Sequence, residues 1–177
     1  MIKKVLIATD GSDHAKKAVA FGSDIASKYG ADVVLVHVLL RGEVSEDLMR
    51  MAEVEQLTGE GGKPLSEAFA SVPAGRFPAD LTFTQEKPTV PYRVLEAVGE
   101  QVLDQAERIA KEHGAGKVKR RIEDGKPVDQ VLNAVEAEGA DLLVTGTRGL
   151  SNVKSMMVGS VSHKLSHMSP VTCISVR

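Results

Sequence analysis

The chain has 177 residues, of which 42% are apolar and 26% charged, and its formal net charge is −2. This length suits one domain with a sizeable core, and the near-neutral charge argues against a dedicated nucleic-acid binder, which is usually strongly basic. No segment approaches the roughly 18 consecutive apolar residues of a membrane span, and the single cysteine, Cys173, excludes an intrachain disulfide framework. We therefore expect a single cytoplasmic domain over residues 1–177, with no nucleic-acid partner and no membrane span.

The first 40 residues have the pattern of a strand, a helix and a second strand. Residues 5–8 are continuously apolar, which is typical of a strand covered on both faces. Ser12 is a good N-cap, a helical apolar stripe runs through residues 15–29, and Gly30 predicts the helix end. A second apolar run over residues 33–40 completes a βαβ unit, so the two strands should be parallel and joined by a right-handed crossover.

The same alternation returns in the last half of the chain. Apolar periodicity predicts, in chain order, a helix over 95–110, a more exposed strand over 118–122, a helix from Pro127 to Val135, a buried strand over 142–144, a helix over 161–168 and a strand over 171–176. Five strands and four helices in alternation predict an α/β fold with a doubly wound sheet.

Residues 41–91 interrupt this alternation. They contain five prolines and five glycines, and only residues 46–57 suggest a short helix. A connection this long inside one domain is uncommon, and two interpretations stay open: a functional segment, or an exposed insertion without a function of its own. Residues 59–64 superficially resemble a phosphate loop, but the first glycine is missing and Pro64 stands at the Ser/Thr position, so we predict a linker.

A glycine-rich loop over residues 145–150 follows the fourth predicted strand. Open α/β sheets bind ligands at this position, between the carboxyl end of a strand and the next helix. Gly146 and Gly149 lack a Cβ, which allows the backbone to turn tightly and to approach an anion. Glycines alone are also explained by a plain strand-to-helix turn.

Positive charge and the start of a predicted helix near this loop also favour an anionic ligand. Gly159 and Ser160 begin the last predicted helix, whose free N–H groups and positive dipole end favour phosphate. Arg148 and Lys154 lie between the fourth predicted strand and this helix, and the last 36 residues carry four basic and no acidic side chains. A locally positive end of this kind predicts an anionic ligand.

The spacing Gly146-x2-Gly149-x9-Gly159-Ser160 resembles the nucleotide-binding signature of the ATP-binding branch of the universal stress protein family. The segments 5–12, 35–38 and 125–127, together with residues 140–144 and 169–171, also resemble that family, so the resemblance covers residues 1–40 and about 92–177. It implies a Rossmann-like, five-stranded parallel sheet in the order 3-2-1-4-5 with helices on both faces. It also implies a homodimer joined through the last strand, residues 171–176.

The resemblance further implies a role for individual positions in binding ATP, ADP or AMP, with Mg²⁺ as a candidate companion ion. Ala8, Thr9 and Asp10 would lie beside the adenosine, and the backbone of Val38 would meet the adenine edge. Gly146, Arg148 and Gly149 would surround the ribose and phosphates. Gly159, Ser160 and Val161 would close on the phosphates.

We therefore expect a regulatory or stress-response protein that holds an adenine nucleotide as a ligand, with residues 41–91 as a candidate surface for a protein partner. Two alternatives stay open: a slow ATPase or nucleotidyl-transfer enzyme on the same fold, and an interaction module that binds no nucleotide. No catalytic nucleophile is visible in the sequence. His163 and His167 have the i, i+4 spacing of two metal ligands, but no Cys, Asp or Glu lies near them in sequence, so we expect solvated residues and no metal site.

Overall fold

The computed structural model describes residues 1–39, 92–149 and 159–177. The predicted insertion over residues 41–91, with its candidate helix and linker, lies outside the described residues, as does Lys154. The described elements are, in chain order, β1 (Lys4–Ala8), α1 (Asp13–Tyr29), β2 (Asp32–Leu39), α2 (Tyr92–Glu112), β3 (Val118–Asp124), α3 (Pro127–Glu138), β4 (Leu142–Gly146), α4 (Ser160–Met168) and β5 (Thr172–Val176).

The five described strands form one parallel sheet in the order β3-β2-β1-β4-β5, which confirms the predicted topology. β1 lies at the centre, where Val5 pairs with Val33 of β2 on one side and with Leu142 of β4 on the other. The strand order reverses between β1 and β4. In open α/β sheets, the crevice at the carboxyl ends of such a strand pair is where ligands bind.

Two apolar cores cover the two faces of the sheet. On one face, α1 and α2 pack on alternate residues of the central strands, including Val5, Ile7 and Val33. On the opposite face, α3 and α4 pack on Leu6 and Leu143. β1 is buried on both faces from Val5 to Ile7, and its sequence is apolar from Val5 to Ala8, as is typical of parallel strands.

Local signals in the sequence mark three of the helix boundaries correctly, whereas α2 (Tyr92–Glu112) and the end of α3 (Glu138) extend beyond the predicted bounds. The hydroxyl oxygen of Ser12 accepts the N–H of Ala15 at 3.3 Å, as an N-cap should. Gly30 ends α1 in the left-handed conformation at φ 64°, and Pro127 is the first residue of α3. β3 extends to Asp124, two residues beyond the predicted end, because the long strand β2 continues to offer it pairing partners. Within the described part of the chain, no helix combines the length and apolar character needed to cross a bilayer.

Candidate functional site

The loops after β1 and β4 meet at the carboxyl edge of the sheet. The hydroxyl of Ser12 donates to the carbonyl of Arg148 at 3.3 Å, and Thr147 Oγ1 lies 3.2 Å from His14 Nδ1. Gly149 lies against the carboxylate of Asp10, since a Cβ built on this glycine would collide with Asp10 Oδ2. Segments that are more than 130 residues apart in sequence thus form one site.

The turn that follows β1 is fixed by its own hydrogen bonds. Asp10 Oδ1 accepts the N–H of Ser12 at 3.0 Å, and Thr9 Oγ1 accepts the N–H of Gly11 at 3.3 Å. Gly11 has φ 83°, a conformation that favours glycine. The turn therefore holds the half-buried carboxylate of Asp10 in a defined position at the crevice.

Thr147 fastens the start of α4 to the end of β4. Its N–H donates to the carbonyl of Val176 at 2.7 Å, and its own carbonyl accepts the N–H of Gly159 at 2.7 Å and the hydroxyl of Ser162 at 2.9 Å. Thr147 and Ser162 are both buried, as these bonds require. Sequence reasoning missed Thr147, Ser162 and His14, because no local pattern distinguishes a buried Ser, Thr or His that bonds across the fold.

The start of α4 can receive an anion. Gly159 is its N-cap and supplies no side chain to bond the first-turn N–H groups, and the first turn contains no acidic residue. Ser160 and Arg148 are both exposed on this edge. Uncapped N–H groups and the positive end of the helix dipole favour a negatively charged ligand here.

The three signature glycines have close neighbours at the position of a Cβ and no unusual dihedral angles. Positive φ occurs among the described glycines at 11, 30, 114, 125 and 139, so at none of the three. A Cβ on Gly146 would lie 2.8 Å from the carbonyl carbon of His14 and 2.9 Å from the nitrogen of Ala15. Gly146 thus has a packing reason to be glycine that differs from the expected approach of an anion, and its role beside a nucleotide stays a prediction. A Cβ on Gly159 would lie 3.2 Å from the carbonyl oxygen of Thr147.

The remaining predicted residues lie on the same edge. The carbonyl of Val36 accepts the N–H of Thr9 at 2.9 Å, so the backbone of Val36 faces β1. The backbone groups of successive strand residues point to alternate sides, so those of Val38, two residues after Val36, also point toward the β1 side. β1 ends at Ala8, which pairs with Val36, so Val38 lies beyond the end of β1. The side chains of Ala8 and Val161 pack against the core beneath the edge.

His37 is a further buried residue next to the site. Its Nδ1 lies 2.9 Å from the carbonyl oxygen of Thr9, and only 9% of the residue is exposed. Burial lowers the pKa of His37 below its ordinary value, while the hydrogen bond to Thr9 and the charge of Asp10 act in the opposite direction. In the sequence, His37 stood in an apolar strand and in the segment 35–38 that resembles the family, and neither pattern gave it a role.

The histidine pair on α4 has no third ligand among the described residues. His163 and His167 are exposed and their ring centroids are 4.7 Å apart. The described ranges contain no group of three or more His, Cys, Asp or Glu residues that could hold a metal ion.

Residues 1–177 match the family model described as universal stress protein family. The universal stress protein YxiE of Bacillus subtilis is 29% identical over 177 residues, with 100% of both chains covered. A solved universal stress protein in complex with cAMP has a TM-score of 0.62 and 24% identity, covering 99% of this chain and 97% of that one. The Archaeoglobus fulgidus universal stress protein in complex with dAMP has a TM-score of 0.58 and 17% identity, covering 100% and 98%. These solved structures share the α/β fold described above.

Proposed function

This chain belongs to the universal stress protein family, and we propose that it binds an adenine nucleotide, ATP, ADP or AMP, at the carboxyl ends of β1 and β4. One observation carries the proposal: hydrogen bonds hold the turn after β1, the loop after β4 and the start of α4 together at a single edge. Ligands of doubly wound sheets bind where the strand order reverses, which is this edge.

The charges of the edge divide it into a nucleoside side and a phosphate side. Asp10 brings a carboxylate, which accepts hydrogen bonds from ribose hydroxyls and repels phosphate. The start of α4 and Arg148 bring N–H groups and positive charge, which attract phosphate. A nucleotide has the same polarity along its length, with hydroxyls in the middle and anionic groups at one end.

The adenine base has its place at the β2 end of the crevice. The backbone N–H and C=O of Val38 face the β1 side at a level beyond the end of β1, and groups in this position can pair with a purine edge. The complexes of two family members with cAMP and dAMP support the same chemical class of ligand. Those ligands carry one phosphate, so the number of phosphates preferred by this chain is part of what the binding experiment measures.

The proposal includes a regulatory role in the cytoplasm, with the nucleotide as a ligand and Mg²⁺ as its candidate companion. Residues 1–177 would act as one domain, and residues 41–91 would contact a protein partner. The nucleotide site itself offers fixed backbone groups and a helix start, which suit retention of a ligand. Regulation then follows from the difference between the occupied and empty states.

A homodimer through β5 is also part of the proposal. β5 pairs with β4 on one side, and no other described strand pairs with its outer edge. The N–H of Thr147 donates to Val176, so the backbone of Val176 faces β4 and that of Ser175 faces outward. An exposed edge strand favours pairing with another strand, and pairing with the same strand of a second copy closes at a dimer.

Calorimetric titration with ATP, ADP and AMP tests the nucleotide site, using Gly149→Val and Gly116→Val as a matched pair. A side chain at Gly149 displaces the carboxylate of Asp10, and we expect affinity to fall at least tenfold, about 1.4 kcal/mol. A Cβ at Gly116 meets nothing within 4 Å and φ there is not positive, so the control should bind normally. Unchanged affinity in folded Gly149→Val would remove the site assignment.

A further inference from the structure

The ring of His37 bonds to the backbone at the point where β1 ends. Nδ1 lies 2.9 Å from the carbonyl oxygen of Thr9, and both residues are buried. A carbonyl oxygen only accepts hydrogen bonds, so Nδ1 carries the proton and donates it. The N–H of the same Thr9 donates to the carbonyl of Val36 at 2.9 Å. Both backbone groups of Thr9 are therefore held by β2, one of them by a side chain.

The helix on this face leaves room for the imidazole. Gly99 lies in the middle of α2, where glycine weakens a helix relative to alanine. A Cβ at this position would lie 3.1 Å from Cδ2 of His37 and 3.1 Å from Cδ2 of Leu39. Because Gly99 has no side chain, α2 can lie close to β2 even though β2 carries the bulky ring of His37 at this level. This close packing fixes the ring from the side opposite to its hydrogen bond.

The carbonyl of Thr9 is part of the peptide group that joins Thr9 to Asp10. Without a donor from His37, a buried carbonyl would lack this partner, and rotation of the peptide toward another donor would relieve the penalty. A change of ψ at Thr9 that redirects this carbonyl also redirects the chain that follows, and with it the carboxylate that lies against Gly149 and accepts the N–H of Ser12. The ring of His37 therefore influences the crevice through the backbone of Thr9 and does not itself line the crevice.

We propose that His37 is a positioning residue of the nucleotide site, which sets the direction of the Thr9–Asp10 peptide and thereby the place of the Asp10 carboxylate. The inference rests on the proposed nucleotide binding at this edge. His37 acts through the backbone, and its contribution is the donor at Nδ1. A side chain that supplies a donor at the same distance from the backbone should therefore replace it.

Two substitutions separate the donor from the bulk of the ring. His37→Leu replaces the ring with an apolar side chain that has no hydrogen-bond donor, and we expect the affinity for AMP to fall about tenfold. His37→Asn places an amide N–H at the position of Nδ1 and should recover most of that loss. Val33→Ala, which creates a cavity at the amino end of the same strand, serves as a control for loss of stability alone and should bind AMP normally when folded.

The outcomes distinguish this inference from the proposed function. If the unmodified chain bound no adenine nucleotide, the proposed function and the inference would both be wrong. If the unmodified chain and His37→Leu bound AMP equally well, or His37→Asn lost as much as His37→Leu, only the inference would be overturned. Should His37→Leu not fold, ¹⁵N NMR of labelled histidine in the unmodified protein decides, because an Nε2–H tautomer of His37 contradicts the bond to Thr9.

Discussion

Substitution of Gly146 by alanine should destabilise the fold, because the new Cβ meets backbone atoms. It would lie 2.8 Å from the carbonyl carbon of His14, 2.9 Å from the nitrogen of Ala15 and 3.0 Å from the Cβ of His14. Backbone in the first turn of α1 cannot rotate away as a side-chain end can, so α1 and β4 must separate by several tenths of an ångström. Overpacking of this kind typically costs about 1–3 kcal/mol.

Alanine also restricts the unfolded chain, which offsets about 0.5–1 kcal/mol of that cost. Because Gly116→Ala restricts the unfolded chain equally, Gly146→Ala should be less stable than Gly116→Ala by about 1–3 kcal/mol, or a fall in Tm of roughly 2–12 °C for a chain of this size. Urea unfolding followed by circular dichroism measures it, with Gly116→Ala as the control, because a Cβ there meets nothing within 4 Å. Equal stability of Gly146→Ala and Gly116→Ala would refute the packing argument.

Three further predictions concern pH, assembly and the insertion. The folded pKa of His37 is lowered from 6.5, so the unfolded chain takes up the proton first, and stability should fall as pH drops below about 6.5, by at most about 1.4 kcal/mol per pH unit. Urea unfolding between pH 5 and 7.5 should show this slope, and His37→Asn should flatten it. Identical slopes for His37→Asn and the unmodified chain would show that His37 is not the group responsible. Ser175→Pro removes an outward N–H from β5 without breaking a bond to β4, so light scattering should find folded monomers where the unmodified chain gives dimers. A monomeric unmodified chain would end that idea. Hydrogen exchange should change in residues 41–91 when ATP is added if nucleotide controls a partner surface there; a change confined to residues 146–162 would instead favour an insertion without a function of its own.

The fold was predictable because its signals are local. Unbroken apolar runs marked the buried strands, Ser12 and Gly30 marked the ends of α1, and Pro127 marked the start of α3. Each of these signals depends on a few neighbouring residues and on backbone preferences. The end of β3 was set too early, since Asp124 belongs to the strand only because Leu39 of β2 pairs with it.

The site was predictable only in outline. The spacing of the glycines identified the loop, but the reason for Gly146 lies at His14 and Ala15 in the first turn of α1, more than 130 residues earlier. The bonds of Thr147 to Gly159 and Ser162, and of His37 to Thr9, likewise join segments that no sequence window contains together. Such contacts depend on the registers of the strands, which arise only when the whole sheet has formed.

The central claim is that an adenine nucleotide lies along the edge formed by the loops after β1 and β4, with its phosphates at the start of α4. Amide NMR spectra of the ¹⁵N-labelled protein, titrated in parallel with AMP and with adenosine, test this claim most directly. We predict saturable shifts by both ligands in residues 9–12 and 38, and shifts in residues 159–161 with AMP only. The absence of saturable shifts at this edge, or equal shifts of residues 159–161 by adenosine and AMP, would contradict the account.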